Sequence, residues 1–162
     1  MLPKGMKNVT LPRESALHMN ASCASWNLRR AARVVTRHYN QALRGSGVTA
    51  EQLPLLSAIA ASDEFSVGTL AEALDIERSA VSRDVSVLEK KGFVRLLKDP
   101  RDARITRLAI TAKGHRALAV AFEAWKTAHS ELQSVVGDKD LAHAIRQIKI
   151  VGRAAKKLGN PE

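Results

Sequence analysis

The sequence predicts a mainly α-helical fold interrupted by one two-stranded β-hairpin, and three observations carry that prediction. Apolar residues recur at helical spacing over most of the chain. Two short stretches near residues 93–97 and 105–110 alternate with a period of two instead. Glycines and hydroxyl-bearing or acidic residues punctuate the helical stretches where starts and stops are needed.

Residues 1–20 contain Pro3, Gly5 and Pro12 with no sustained period, and read as a mobile basic tail. A long amphipathic helix is expected over 22–44. It places Leu28, Ala31, Ala32, Val35, Tyr39, Ala42 and Leu43 on one face and Arg29, Arg33 and Arg37 on another, and Gly45-Ser46-Gly47 ends it. Thr49, with Gln52 three positions on, forms a capping box for a helix over 50–61. Ser66 caps a short third helix through Ala73, Asp75-Ile76 make a break, and a fourth helix runs from Glu77 to Lys91 and stops at Gly92. Two short helices across such a break form a helix-turn-helix, with Val81, Val85 and Leu88 of the second facing the core.

Phe93 to Leu97 reads as a strand, Asp99-Pro100-Arg101-Asp102 as a turn, and Ile105 to Ile110 as a second strand. A hairpin directly after a helix-turn-helix is a wing. Thr111 then caps a helix over 112–136 with Leu118, Phe122, Trp125, Leu132 and Val136 as its apolar stripe. Gly114 falls in the first turn, where glycine costs less than in mid-helix. Gly137 and Asp138 stop that helix and start the last one, 139–158, which repeats Leu141, Ile145, Ile148, Val151, Ala155 and Leu158.

Charge narrows the partner. The 162 residues carry a formal net charge of +10, which favours a polyanion: nucleic acid or an anionic membrane surface. Only 4% of residues are aromatic, too few stacking platforms for a dedicated binder of single strands. Eleven Lys or Arg and four Asp or Glu lie between Arg78 and Arg116, whereas Ser62–Glu77 holds five acids and no base. The positive charge is therefore concentrated on the second half of the helix-turn-helix and the wing. No apolar run approaches the ~20 residues that span a bilayer. The N-terminus lacks the apolar stretch of a secretory signal, and one cysteine, Cys23, cannot form an internal disulfide. A reduced, cytoplasmic protein is expected.

If Val81, Val85 and Leu88 face inward, then Arg78, Ser79, Ser82, Arg83 and Ser86 face outward. Small hydroxyls let a helix approach the major groove, and arginine can bond guanine through two donors. A solvated amphipathic helix would show the same pattern. The wing adds Lys98, Arg101, Arg104 and Arg107 around its turn. An arginine there can enter a narrow minor groove, and Asp102 is placed to hold the Arg104 guanidinium.

These residues resemble the MarR (multiple antibiotic resistance regulator) family. The similarity is carried by SVGTLAEAL, ERSAVSRDVSVLEKKGFV and DPRDARITRLAITAKG. Asp102, Arg104 and Arg107 keep that family's wing spacing, and Thr111 to Gly114 keep its Thr-x-x-Gly. Ala103 departs from it, standing where many members have a second arginine. The resemblance implies a winged helix-turn-helix with N- and C-terminal helices forming a dimerisation region: tail 1–20, dimerisation helix 21–46, DNA-binding domain 47–116 and C-terminal dimerisation helices 117–162. The apolar stripes of the terminal helices exceed what a small winged domain can bury alone, which supports a homodimer independently. Function follows as site-specific binding of double-stranded DNA by a transcriptional regulator, in the family's repressor mode. A homodimer implies a pseudo-palindromic operator with half-sites roughly 10 base pairs apart.

The resemblance also implies release from DNA by a small anionic or phenolic effector, or by an oxidant. Trp26, Asn27, Arg30, His38 and Trp125 would flank an effector pocket, although as interface residues they would be purely structural. Cys23 near the start of the first helix looks like the redox-sensing branch, although its spacing to Tyr39 does not match that branch. The five histidines are scattered without paired metal-ligand spacing, and no metal or other cofactor is expected. There is no phosphate-binding glycine loop, nucleophile elbow or zinc motif, so an enzyme is not expected. A sequence-indifferent architectural DNA binder would favour a lysine-rich groove helix, and a membrane-surface role would need a bulkier apolar stripe.

Overall fold

The computed structural model describes residues 10–62, 64–99, 102 and 104–159. The helices are α1 (Arg13–Ser22), α2 (Ala24–Ala42), α3 (Gln52–Ala61), α4 (Val67–Leu74), α5 (Arg78–Lys90), α6 (Ala112–Val136) and α7 (Asp138–Gly159). A 3₁₀ turn follows α2 over Leu43–Ser46, and strands β1 (Val94–Lys98) and β2 (Thr106–Ile110) pair antiparallel between α5 and α6. The mainly α fold with a two-stranded wing is as the sequence predicts.

The chain divides into two units, the first ending at Arg37 and the second beginning at His38, so the boundary falls within α2. In the first unit, the helix over Arg13–Ser22 corrects the expectation of a structureless tail as far as residue 20. It has no side-chain cap, buries no residue and is only weakly amphipathic, so it leaves no apolar period to read. Its last N–H bonds come round to Cys23, which donates to the Met19 carbonyl at 3.0 Å, and α2 begins one residue later.

The second unit holds the core, built from Leu43, Leu55, Leu56, Ile59, Leu70, Val81, Leu88, Val94 and Leu108 with smaller neighbours. Thr49 Oγ1 accepts from the Gln52 N–H and Gln52 Oε1 from the Thr49 N–H, so the expected capping pair is present. Ser66 caps α4 by accepting the Thr69 N–H at 3.2 Å, while Thr69 Oγ1 accepts the Ser66 N–H at 2.9 Å. Asp75 closes α4 in the left-handed region at φ 55°, and this single residue makes the sharp break before α5. At the far end of α5, Gly92 at φ 72° turns the chain into β1. A bridge between Ser66 and Arg107 adds a short third rung on the other side of β2.

The junction of wing and α6 is tight. Thr111 Oγ1 caps α6 through the Gly114 N–H at 3.0 Å and donates to the Gly92 carbonyl at 2.6 Å. The Thr111 N–H bonds the Phe93 carbonyl at 3.0 Å. A Cβ on Gly114 would sit 2.1 Å from that same carbonyl oxygen. Glycine is therefore required here by backbone packing, a stronger reason than its low cost in a first turn.

The buried face of α6 is Gly114, Ala117, Ala121 and Ala128, against the 3₁₀ turn and α3, and not the bulky stripe expected from the sequence. Phe122 stands 51% exposed and Val136 40%. Leu118, Trp125 and Leu132 of that stripe lie four residues after Gly114, Ala121 and Ala128, about 40° around the helix, and are half-buried at the edge of the face. Methyl groups let α6 lie close to its neighbours, and Leu118 packs against the core from the edge of the face. In α7 no residue is buried, and Ile145, Ile148, Val151 and Leu158 are exposed.

Candidate nucleic-acid interface

Helix α5 is anchored by Val81, Val85 and Leu88, which are 0%, 4% and 0% exposed. The anchoring turns Arg78, Ser79, Ser82, Arg83 and Ser86 outward, and all five are exposed. None of these side chains is bonded to another described residue. Asp84, the one acid among them in sequence, is half-buried and accepts from Gln52 Nε2 of α3 at 3.4 Å. The outward face over residues 78–86 thus carries two guanidiniums, three hydroxyls and no exposed carboxylate.

The neighbouring lysines divide into two groups. Lys91 is committed to structure, donating to the Gly47 carbonyl at 2.7 Å and to Gln52 Oε1 at 3.4 Å. Lys113 donates to the Lys91 carbonyl and lies 5.5 Å from the Phe93 ring centre. Lys90 and Lys98 are exposed.

The wing is organised around Asp99, which sequence reasoning missed as an organiser. Asp99 is 8% exposed, and its carboxylate accepts from Arg107 Nε and from the Asp102 N–H at 3.2 Å. Its own N–H donates to the Ile105 carbonyl at 2.9 Å. Asp102 Oδ1 accepts the Arg104 N–H at 2.9 Å. The structure therefore corrects the expected Asp102–Arg104 side-chain pair: Asp102 holds the Arg104 backbone, and the guanidinium fixed by a carboxylate belongs to Arg107. A short Asp side chain two residues upstream reaches the nearby N–H more readily than a distant guanidinium. Because Arg107 binds Asp99 through Nε, the terminal nitrogens of its fork remain available. Arg104 is exposed, and Arg101 lies outside the described residues.

The expected effector residues fall into two groups. In the first unit, Trp26 is 48% exposed with the Arg33 guanidinium 5.4 Å from its ring centre, and Arg30 is exposed. Asn27 Nδ2 donates to the Ala21 and Cys23 carbonyls at 3.1 and 3.0 Å, bracing the junction of α1 and α2. Cys23 is half-buried at that junction. In the second unit, His38 Nε2 meets the Ala128 carbonyl at 3.0 Å and Glu131 at 3.7 Å. Trp125 stacks between Phe122 and His129, and His129 Nδ1 lies 2.9 Å from the Tyr39 hydroxyl. Burial raises the Tyr39 phenol above its ordinary range. His38 also lines an open cleft of about 470 Å³ with Gln41, Ala42, Ala124, Thr127 and Glu131. Among the described residues no group of three or more His, Cys, Asp or Glu could hold a metal ion, and no helix is long and apolar enough to cross a membrane.

A capped helix, a one-residue left-handed break, a helix with an acid-free outward face and a braced hairpin define a winged helix-turn-helix protein. A model of the MarR family matches residues 46–105, the segment that contains these features up to the wing turn. The transcriptional regulator MosR of M. tuberculosis, solved in complex with DNA, is 35% identical. The match covers 85% of this chain and 98% of MosR, with a TM-score of 0.76. The chain belongs to the MarR family of winged-helix transcriptional regulators. It is also similar to the HTH-type transcriptional regulator YdgJ of Bacillus subtilis (strain 168), 35% identical over 69 residues, 43% of this chain and 42% of YdgJ. A transcriptional regulatory protein for the hcr operon of Thauera aromatica is 33% identical over 95 residues, 58% of this chain and 57% of that protein. The chain thus spans about half the length of the curated relatives it matches.

Proposed function

We propose that this chain is a site-specific regulator of transcription that binds double-stranded DNA as a homodimer on a pseudo-palindromic operator. The observation that carries the reading is the α5 face: Arg78, Ser79, Ser82, Arg83 and Ser86, exposed, unengaged and free of exposed carboxylate. Such a face suits close approach to base edges, while Lys98, Arg104 and Arg107 of the wing reach toward the flanking backbone and minor groove. MosR, similar over most of its length, was solved on DNA, which supports the same partner here.

The homodimer is supported by the apolar side chains that α6 and α7 leave exposed, Phe122, Val135, Ile145, Ile148 and Val151 among them. Two recognition helices related by a two-fold axis read half-sites about one turn, roughly 10 base pairs, apart. Occupancy of two successive major grooves by such a dimer blocks other proteins, which is repression by exclusion. A small anionic or phenolic effector acting beside His38 and Trp125 completes the reading, with the cleft next to His38 as its support.

Selection of sites from random duplexes by the full-length protein at near-physiological salt tests the function. Enrichment of one pseudo-palindrome is the expected result. Binding that falls with salt but enriches no sequence would replace it with an architectural role.

A further inference from the structure

The wing carries more than charge. Leu97 and Ile105 are 40% and 44% exposed in a hairpin that also presents Arg95, Leu96, Lys98, Arg104 and Thr106 to solvent. They share one side of it. Leu97 is the cross-strand partner of Arg107, so the two side chains leave the same face. Ile105 stands two residues before Arg107 and continues that face, its carbonyl bonded to the Asp99 N–H at 2.9 Å. Arg107 is bound to Asp99 between them. Two aliphatic side chains therefore flank a fixed guanidinium, with the exposed Arg104 side chain next in sequence to Ile105.

Charge complementarity selects the occupant of this face. A second protein surface would have to offset the cations around it, whereas the groove of a duplex presents phosphates on both rims and apolar deoxyribose edges between them. We infer that Leu97 and Ile105 pack against the sugar walls of the minor groove on either side of the wing arginines, giving the wing a salt-insensitive grip on DNA. The inference rests on the DNA-binding reading above and adds to it the residues and the kind of contact. Cationic contacts release counterions and weaken as salt rises, but apolar contacts do not. The two kinds of contact can therefore be separated by the slope of affinity against salt.

The test measures the affinity of the full-length protein for its selected operator across a salt series, for the wild type and for Ile105→Ala, Leu97→Ala, Leu96→Ala and Arg104→Ala. Leu96 is exposed to a similar degree, 43%, but leaves the opposite side of the same strand. Ile105→Ala and Leu97→Ala are expected to weaken binding about tenfold at every salt concentration with the slope unchanged, from the loss of three carbons each, partly buried in the contact. Arg104→Ala removes one cation from each protomer and is expected to make the slope shallower by about two per dimer. Wild-type affinity in both alanine variants would overturn the inference, as would an equal loss in Leu96→Ala, which would make the effect a general loosening of the hairpin. A change in dimerisation without a change in affinity per dimer would assign the face to a protein contact and also overturn it. Failure of the wild type to select any operator would count against the DNA-binding reading itself.

Discussion

Replacing Gly114 with alanine sets two physical effects of opposite sign against each other. Helix propensity alone favours the change by up to about 1 kcal/mol, because alanine restricts the unfolded chain and suits a helix. Packing opposes it. The new methyl carbon would lie 2.1 Å from the Phe93 carbonyl oxygen, 2.9 Å from the Phe93 carbonyl carbon and 2.8 Å from Ile110 Cγ1. A carbon and an oxygen rest comfortably at about 3.3 Å, so the overlap exceeds an ångström and two of the three atoms are main chain. Relief requires α6 to lift from the end of β1. That loosens the Thr111 N–H bond to Phe93 and the Thr111 cap on Gly114, each about 1 kcal/mol. With an overpacking cost of about 1–3 kcal/mol, the net loss is about 3 kcal/mol. In a chain of this size that lowers the midpoint of thermal unfolding by about 6–12 °C. Melting followed by circular dichroism, at one protein concentration, measures it. A midpoint unchanged within about 2 °C, or raised, would show that propensity outweighs the close approach and refute the packing argument.

Other substitutions probe the interface and its support. Arg83→Ala should relax base preference and cost about 1–3 kcal/mol on the selected operator; equal losses on operator and random duplex would reduce Arg83 to a phosphate contact. Asp99→Asn should weaken operator binding several-fold with unchanged helix content, because the hairpin loses its charged brace to Arg107. Unaltered affinity would show that the wing needs no such brace. Tyr39 is the sole tyrosine, so an alkaline absorbance titration reports it alone. Its midpoint should lie above 10.0 in the folded protein and return to the ordinary value in denaturant. With the folded value raised, the neutral phenol's contribution to stability is complete below the unfolded value and is lost as pH rises through the folded one. Identical midpoints in the two states would rule out burial as a perturbing cause.

Local punctuation made most of the architecture readable. Ser66, Asp75, Gly92, Thr111 and Gly137 each impose a start or stop through their own backbone or side-chain chemistry, and helix ends fell within one or two residues of the expected positions. The outward set on α5 was readable for the same reason, since Val81, Val85 and Leu88 fix the helix's rotation. What the sequence concealed depended on contacts between distant segments. Nothing local distinguishes Asp99 from Asp102 as partner for a wing arginine; cross-strand pairing does, by bringing Arg107 back beside Asp99. The alanine face of α6 was overlooked because hydrophobic bulk dominates a periodicity reading, while close helix packing rewards small residues. Helix α1 was missed because it buries nothing and so imposes no period.

The wing end of α6 also has a mechanical consequence. The helix is unbroken for 25 residues, about 37 Å, and its first turn is wedged against the Phe93 carbonyl at the root of the hairpin. With no room for a methyl group at that contact, there is little slack for the rod to pivot without carrying the hairpin along. A tilt of about 5° about the Val136 end would sweep the opposite end through about 3 Å, enough to lift an arginine out of hydrogen-bond range of its target. Stiffness at one glycine thus makes the hairpin and the long helix a single crank, and the aiming of the wing becomes a property of residues far from it.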